Sequence, residues 1–246
     1  MKGELIFGVN PVKESLQGTR GAYNLYVQIS ATDHRVEKII RLAEERGVAV
    51  HRRDKVDITK MCASSHHQGI ALEVEPFRYA DFDELVASIG ASAATGFILV
   101  LDAIQDPHNL GALIRSAACA GVDAVIIPKD RACGITAAAE KTSAGAVETV
   151  PVAIVTNIVH TLETLKKLGY WVYGLDGTAR QTVYGTDFSG NVVLVVGGEG
   201  EGIRPLVRKQ CDVVMSIPQY GGVSSLNASV AGGIALFEIA RKVRSI

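Results

Sequence analysis

The chain has 246 residues, of which 48% are hydrophobic and 21% charged, with 25 Lys and Arg against 26 Asp and Glu. This composition indicates a globular protein with a real apolar core, and the net charge of −1 excludes a protein that coats nucleic acid over its whole surface. The chain lacks both an apolar run near the roughly 20 residues of a membrane helix and a signal-peptide pattern, so we expect a cytoplasmic protein.

Residues 1–75 predict a small α/β domain. Its clearest helix runs from Asp33 to Arg46, with apolar residues on one face and Gly47 at its end. A shorter helix is expected to begin at the Asn10-Pro11 pair, with Asn10 as its N-cap, and to continue to about Leu16. The predicted strands are 23–29, 48–51 and 70–74. The last of them stops before a proline, so residues 76–96 are predicted to form a linker and the first helix of the next domain.

Residues 97–246 predict a doubly wound α/β domain with a parallel sheet. Short, continuous apolar runs are typical of strands buried on both faces. The predicted strands are 97–101, 124–127, 150–154, 170–173 and 192–196, and the predicted helices are 109–120, 136–143, 157–168, 203–209 and 225–243. In such a fold the ligand site lies at the carboxyl ends of the strands.

The four cysteines lie far apart and form no CxxC pair, so neither a zinc site nor a disulfide framework is expected. We predict that they are reduced, buried thiols that pack as small hydrophobic groups. They are Cys62, Cys119, Cys133 and Cys211.

The first polar loop after a predicted strand lies in LDAIQDPHNLGALIRSA, residues 101–117. The helix that begins at about Asn109 is apolar nearly all round and is expected to be buried, and Asn109 is expected to be its N-cap. A buried Arg115 would need a carboxylate, a ligand or a phosphate as its partner. An ordinary structural ion pair is the alternative.

The second loop is VVGGEGEGI, residues 195–203, where glycines alternate with Glu199 and Glu201. Glycines allow the backbone to approach a ligand closely. The spacing fits neither the dinucleotide fingerprint nor a P-loop. Two acids favour a ligand with cationic or hydroxyl groups, and a plain turn is the alternative.

The third loop is IPQYGGVSSLNASVA, residues 217–231. Ser224, Ser225 and Asn227 supply more polar groups than one helix cap requires, which favours a ligand-binding turn. The chain has no GxSxG, HExxH or SxxK motif, so the common hydrolase and peptidase mechanisms are excluded.

Together, DPHNLGALIRSA, GGEGEGI and SSLNASVA resemble the three motifs of the SpoU family of RNA ribose methyltransferases, in the SPOUT superfamily, over residues 97–243. GVNPVKESL (8–16) and HHQGIALEV (66–74) resemble the ribosomal-protein-like substrate-binding domain of the branch that methylates guanosine in 23S rRNA. The resemblance implies methyl transfer from S-adenosylmethionine to a ribose 2′-hydroxyl. It also implies a homodimer, a deep trefoil knot in the C-terminal domain, and RNA rather than DNA or a membrane as partner.

The resemblance also implies the site residues. Those matching the catalytic set are Asn109, Arg115, Glu199, Ser225 and Asn227. Those expected against S-adenosylmethionine are Gly197, Ile217 and Leu226. No metal is needed, because a sulfonium is already an activated methyl donor.

Arg115 is expected to clamp an RNA phosphate next to the target ribose. A guanidinium is always protonated, so it is a poor proton acceptor. Asn109 and Asn227 would position this group, the ribose or the loops, and Glu199 would orient them. In the N-terminal domain, phosphate contacts or ordinary solvated charges are expected at Arg52, Arg53, Lys55, His66 and His67.

Three alternatives remain open. A related SPOUT enzyme would methylate a transfer RNA ribose or a base nitrogen, but Arg115 and the Ser-Leu-Asn motif favour ribose. A non-catalytic RNA-binding assembly protein would be expected to lose some of the catalytic set, which is intact here. An unrelated nucleotide-binding enzyme is disfavoured by the failed fingerprints.

Overall fold

The computed structural model describes residues 3–18, 20–30, 33–90, 95–200, 202–222 and 225–243. Strands and helices alternate along most of the chain. In order they are β1 (Glu4–Phe7), α1 (Val9–Gln17), β2 (Ala22–Gln28), α2 (His34–Glu45), β3 (Ala49–Arg53), α3 (Lys55–Cys62), β4 (Ile70–Val74), α4 (Phe82–Gly90), β5 (Phe97–Asp102), α5 (Pro107–Ala120), β6 (Ala124–Pro128), α6 (Ala137–Thr142), β7 (Val152–Val155), α7 (Ile158–Lys167), β8 (Tyr170–Leu175), β9 (Gln181–Thr182), β10 (Asn191–Gly197), α8 (Pro205–Arg208), β11 (Val213–Ser216) and α9 (Ala228–Val243).

The chain forms two compact units. The first contains Met1–Arg78 together with Ile135–Thr149, and the second contains Tyr79–Gly134 and Val150–Ile246. The segment Ile135–Thr149 therefore belongs with the N-terminal unit, although it lies inside the 97–246 range predicted for the second domain.

The first unit is built on a mixed sheet of order β1-β4-β2-β3, in which β2 and β3 are parallel and the other pairs antiparallel. Helices α1 and α2 cover one face around a core that includes Leu16, Leu25 and Ile39. On the other face, Ile58 of α3 and Ala137 of α6 pack against Phe7 and Ala71. The predicted α/β domain is confirmed, whereas α3 was not foreseen.

Arg20 joins Ile135–Thr149 to the rest of this unit. Its guanidinium binds Glu140 at 2.5 Å, Glu148 at 3.1 Å and also Glu4. Burial raises the pKa of Glu140 to about 7, and the nearby Glu148 and Glu4 carboxylates add to this effect against the pull of Arg20. The buried Arg20 guanidinium thus binds three carboxyl groups, of which Glu140 is partly protonated at neutral pH.

The turn between α3 and β4 closes the start of α1. Gln68 Oε1 accepts a hydrogen bond from Val9 N at 2.8 Å, and Gly8, with φ +101°, precedes the helix. The prediction that Asn10 caps α1 is therefore wrong, because the glutamine supplies the cap from a distant loop.

His67 is buried in the same turn, so its predicted role as a surface RNA contact is wrong. Its Nδ1 accepts a hydrogen bond from Gly69 N at 3.0 Å, and its Nε2 lies 3.0 Å from Thr59 Oγ1. Burial, with Lys55 and Lys141 nearby, lowers the pKa of His67. The neutral ring therefore holds the turn.

The second unit contains an all-parallel sheet of order β7-β6-β5-β10-β8-β11-β9. On one face α4, α7 and α8 bury apolar residues such as Val86, Leu162 and Val207. On the other face, α5 packs closely against α9. The approach is so close that a Cβ at Gly232 would lie 2.3 Å from Leu113 Cδ2. The five predicted strands and the helices between them are confirmed, and β9 and β11 are additional.

All four cysteines are free thiols, but the prediction that they are buried is wrong: Cys119 is exposed and the other three are half-buried. Burial raises the pKa of Cys62 to about 11 and that of Cys211 to about 12, as expected for apolar surroundings. Cys119 instead lies exposed on α5, which corrects the prediction. Among the described residues, no helix is both long and apolar enough to cross a membrane.

Candidate active site

The carboxyl ends of four adjacent strands meet at one edge of the second sheet. Strands β5, β10, β8 and β11 end at Asp102, Gly197, Leu175 and Ser216. Loops that follow three of them, β10, β8 and β11, line a cavity of about 600 Å³. Its position at the carboxyl ends of parallel strands is the one predicted from the sequence.

The loop after β10 forms one wall of this cavity with its backbone. A Cβ on Gly197 would lie 2.1 Å from the carbonyl carbon of Gly202, and one on Gly198 would lie 2.3 Å from the oxygen of Ala103. Such distances are far inside van der Waals contact, so neither position tolerates a side chain without rearrangement. The close packing of this loop requires glycine at both places.

Glu199 holds two amides, one from the first turn of α5 and one from the residue before α9. Its Oε1 accepts hydrogen bonds from Asn109 Nδ2 and from Asn227 Nδ2, the latter at 3.1 Å. Because each amide nitrogen faces the carboxylate, each amide oxygen faces away from it. This arrangement brings together one predicted residue from each of the three motifs.

The two asparagines differ in that only Asn227 caps a helix. Asp106 caps α5, since its Oδ1 accepts from His108 N at 3.1 Å, so the expectation that Asn109 is the N-cap is wrong. Asn109 lies inside the first turn, where its side chain is available to Glu199. Asn227 does cap its helix, because its Oδ1 accepts from Ser229 N at 2.9 Å.

Apart from Arg115, the other predicted site residues and motif residues fall into two groups. Ser225 and the three residues predicted to contact the methyl donor, Gly197, Ile217 and Leu226, all line the 600 Å³ cavity. Glu201 and Ser224, also noted in the sequence motifs, lie outside the described residues.

Arg115 is not part of this cluster. It lies on the solvent-exposed side of α5, lines neither the cavity described above nor the cluster around Glu199, and makes no hydrogen bond or ion pair within the described ranges. The prediction that it is buried is wrong. Only the face of α5 that bears Leu110, Leu113 and Ile114 is buried.

An ion pair that was not predicted from the sequence fastens the glycine-rich loop to β5. Asp102 is fully buried, and its carboxylate accepts hydrogen bonds from the backbone N and the Nε of Arg204, each at 2.8 Å. An aspartate at the end of a continuous apolar run was the available signal.

Asp176, also missed, lies in the cavity wall after β8. Burial alone would raise the pKa of Asp176, but hydrogen bonds from Thr178 and Arg208 outweigh it and lower the pKa. The carboxylate is therefore ionised at neutral pH.

The cavity suits an adenosyl group that carries a positively charged sulfur. Its volume of about 600 Å³ falls within the about 300–1,000 Å³ usual for such ligands. Leu175, Ile217 and Leu226 offer apolar contacts for a ring, while Asp176 and Glu199 bring negative charge. Within the part of the chain that the structure describes, no group of His, Cys, Asp or Glu side chains could hold a metal ion.

Comparisons with known proteins agree over nearly the whole chain. The SpoU rRNA Methylase family model matches residues 96–237, and a model for RNA 2′-O ribose methyltransferase substrate binding matches residues 5–80. The 23S rRNA (guanosine-2′-O-)-methyltransferase RlmB of Xanthomonas campestris is 40% identical over 98% of this chain and 97% of its own. An uncharacterized tRNA/rRNA methyltransferase of Mycolicibacterium vanbaalenii is 43% identical over 98% of this chain and 77% of its own.

Solved structures share the fold. The SpoU methyltransferase AviRb from Streptomyces viridochromogenes, in complex with AdoMet, superposes with a TM-score of 0.80 at 22% identity, over 98% of this chain and 91% of that one. An AdoMet-bound rRNA methyltransferase from Sinorhizobium meliloti gives a TM-score of 0.79 at 24% identity, over 98% and 87% of the two chains.

Proposed function

Because this chain belongs to the SpoU rRNA methylase family, we propose that it transfers a methyl group from S-adenosylmethionine to the 2′-hydroxyl of a guanosine in 23S rRNA. The RNA 2′-O-ribose methyltransferase activity follows from the family match, and the guanosine of 23S rRNA is proposed from the RlmB relatives. The observation that carries the proposal is the bonding of Asn109 and Asn227 to one carboxylate, Glu199, beside the 600 Å³ cavity.

The cavity is the proposed site of the methyl donor. S-adenosylmethionine, when bound, supplies a methyl group on a positively charged sulfur. Gly197, Ile217 and Leu226 would hold it, largely through the backbone at Gly197 and apolar contact at the other two. Ser225, which faces the same space, adds a hydroxyl.

The cluster around Glu199 is proposed to orient the acceptor. Glu199 fixes both amide nitrogens, so Asn109 Oδ1 is directed away from the carboxylate and can accept a hydrogen bond from a ribose hydroxyl. Asn227 Oδ1 is already used as a helix cap, so its part is to fix Glu199 and the loop. Holding the hydroxyl in line with the donor accounts for much of the catalysis that such a site can provide.

Arg115 is proposed to clamp the phosphate next to the target ribose. Its exposure and its lack of a partner among the described residues leave all its donors available for phosphate oxygens. A positive charge at this point would also stabilise the developing alkoxide.

A homodimer is proposed through the face formed by α5 and α9. Val230 and Phe237 lie two turns apart on α9 and are 50% and 53% exposed. Cys119 on the adjoining α5 is exposed as well. Apolar side chains of this size aligned on one helix favour contact with a second copy of the chain.

The first unit is proposed to bind the RNA backbone. Arg52, Arg53, Lys55 and His66 are exposed there, at the end of β3 and around α3. Contacts of this kind fix position and leave the choice of nucleotide to other groups. A cytoplasmic location and the trefoil knot implied by the family belong to the same proposal.

The decisive experiment is transfer of labelled methyl from S-adenosylmethionine to protein-free 23S rRNA and, separately, to bulk transfer RNA, with ribose methylation mapped afterwards. Label at a single guanosine of 23S rRNA is expected. Label only in transfer RNA would confirm ribose methylation but show that 23S rRNA is not the substrate. Cofactor binding without label in any RNA, including ribosome-assembly intermediates, would favour a non-catalytic assembly protein.

A further inference from the structure

A second cavity, of about 360 Å³, adjoins the proposed donor cavity. Gly198, Glu199 and Gly202 line both. The remaining walls come from the loop after β5, residues 103–106, and from Asn109 and Arg204. The Glu199 carboxylate, which orients the two asparagines, therefore lies between the two cavities. The second cavity is large enough for a small ligand, since ligand pockets usually have volumes of about 300–1,000 Å³.

Polar groups dominate the walls of this second cavity. Asp106 uses Oδ1 to cap α5, which leaves Oδ2 without a partner among the described residues. Asn109 Oδ1 faces away from Glu199, and Arg204 is anchored to Asp102 through Nε and Nη2. The exposed Gln105 completes the rim. Acceptors and donors thus converge on one small space.

Positive charge follows in the next loop. Cys133 N donates to Ile104 O at 2.8 Å, so the segment after β6 touches the wall of the second cavity. This segment carries Lys129, Asp130 and Arg131, two cations and one acid, all exposed and without an ion pair in the described part of the chain. Cations beside a polar cavity suit the phosphates that flank a nucleotide.

We propose that the second cavity receives the nucleotide to be methylated and that Asp106 recognises its guanine base. This inference rests on the proposed function. An RNA base that enters a cavity is read on its Watson–Crick edge. Guanine presents two adjacent donors there, N1–H and the N2 amino group, and an ionised aspartate only accepts hydrogen bonds. Adenine presents an acceptor at N1, which the carboxylate would repel.

Asp106→Asn tests this role while it keeps the helix cap. Asn157 caps α7 in the same way, since its Oδ1 accepts from His160 N at 3.3 Å. The substitution replaces one acceptor oxygen by a donor. The wild type and the variant are each given two forms of the same 23S rRNA fragment, one with guanosine and one with inosine at the target. Inosine lacks only the 2-amino group.

For the wild type, inosine is expected to lower kcat/KM by roughly 10-fold or more, the usual cost of losing a good base contact. Asp106→Asn should cause a loss of at least similar size on guanosine and a smaller loss on inosine, which presents N1–H as its one remaining donor to Asp106. The dissociation constant for S-adenosylmethionine should not change, because Asp106 does not line the donor cavity. Asp33→Asn is the matched control, since Asp33 caps α2 by the same contact, and it should leave all these values unchanged.

The inference would be overturned if the losses caused by inosine and by Asp106→Asn multiplied, or if Asp106→Asn kept full activity on guanosine. Either result would leave the proposed function intact. Methylation by the wild type at a nucleotide other than guanosine would also overturn it. If the wild type transfers no methyl group to 23S rRNA in any form, the proposed function itself fails.

Discussion

Asp102 and Arg204 form an ion pair in which the carboxylate is fully buried and the guanidinium nitrogen Nη2 lies 2.6 Å from Oδ1. Asp102 ends β5, and Arg204 follows the glycine-rich loop of β10. The pair therefore ties the loop that carries Glu199 to the neighbouring strand. Its geometry is that of a structural clamp beside the site.

Arg204→Ala should destabilise the protein by about 3 kcal/mol, because it leaves the buried Asp102 carboxylate without its counter-charge. Chemical denaturation followed by circular dichroism measures the free energy of unfolding. Arg208→Ala is the control, since its pair with Asp176 is more exposed and should be worth less than about 1 kcal/mol. Equal losses in the two variants would show that burial of Asp102 does not set the strength of the clamp.

Arg115→Ala should abolish methyl transfer and leave the affinity for S-adenosylmethionine almost unchanged, because Arg115 does not line the donor cavity. Isothermal titration with the cofactor and a single-turnover assay with RNA separate the two effects. Lys167→Ala on α7 removes an exposed cation elsewhere in the same unit and should keep full activity. Loss of cofactor binding in step with activity would rule out the phosphate-clamp role.

Local patterns were sufficient for most of the fold. The strand Ile70–Val74 was predicted to the residue, and the buried strands of the second unit were predicted because short, continuous apolar runs are typical of strands covered on both faces. Helix α3 was missed because Ile58 is its only fully buried side chain among the described residues. The two-residue β9 is too short to leave a pattern.

The features that the sequence did not show have a common physical origin. A helix that is apolar nearly all round apart from a single arginine can be buried or half exposed, and in the fold, where α9 packs on α5, Arg115 faces solvent. Likewise, a local pattern cannot show that Glu140 returns to Arg20, 120 residues earlier in the chain. The motif residues Asn109, Glu199 and Asn227 could be named from the sequence, but their bonding to one carboxylate oxygen required the structure.

Phe237→Asp should convert the proposed dimer into a monomer, because it places a charge in the middle of an apolar interface. Size-exclusion chromatography with light scattering gives the mass directly. Leu206→Asp, at an apolar side chain of similar exposure on α8, should leave the dimer intact. A wild-type mass of one chain at micromolar concentration would refute the dimer.

Glu140 should make the protein more stable as the pH falls from 8 to 6. At pH 8 Glu140 is ionised in both states, whereas at pH 6 the folded protein, with the pKa of Glu140 raised to about 7, binds a proton that the unfolded chain, with an ordinary value of 4.5, does not. Preferential proton binding stabilises the folded state, here by about 1 kcal/mol. The stability that this raised pKa provides is lost as the pH rises through about 7.

Glu140→Gln isolates this effect from the other titrating groups. The variant keeps a neutral hydrogen-bonding side chain next to Arg20, which retains Glu148 and Glu4 as partners. Urea denaturation of both proteins at pH 6, 7 and 8 gives the difference in unfolding free energy at each pH. The variant should gain stability relative to the wild type as the pH rises, because the wild type alone must then bury a second charged carboxylate. A difference that stays constant, or that changes in the opposite direction, would mean that Arg20 keeps Glu140 ionised over the whole range.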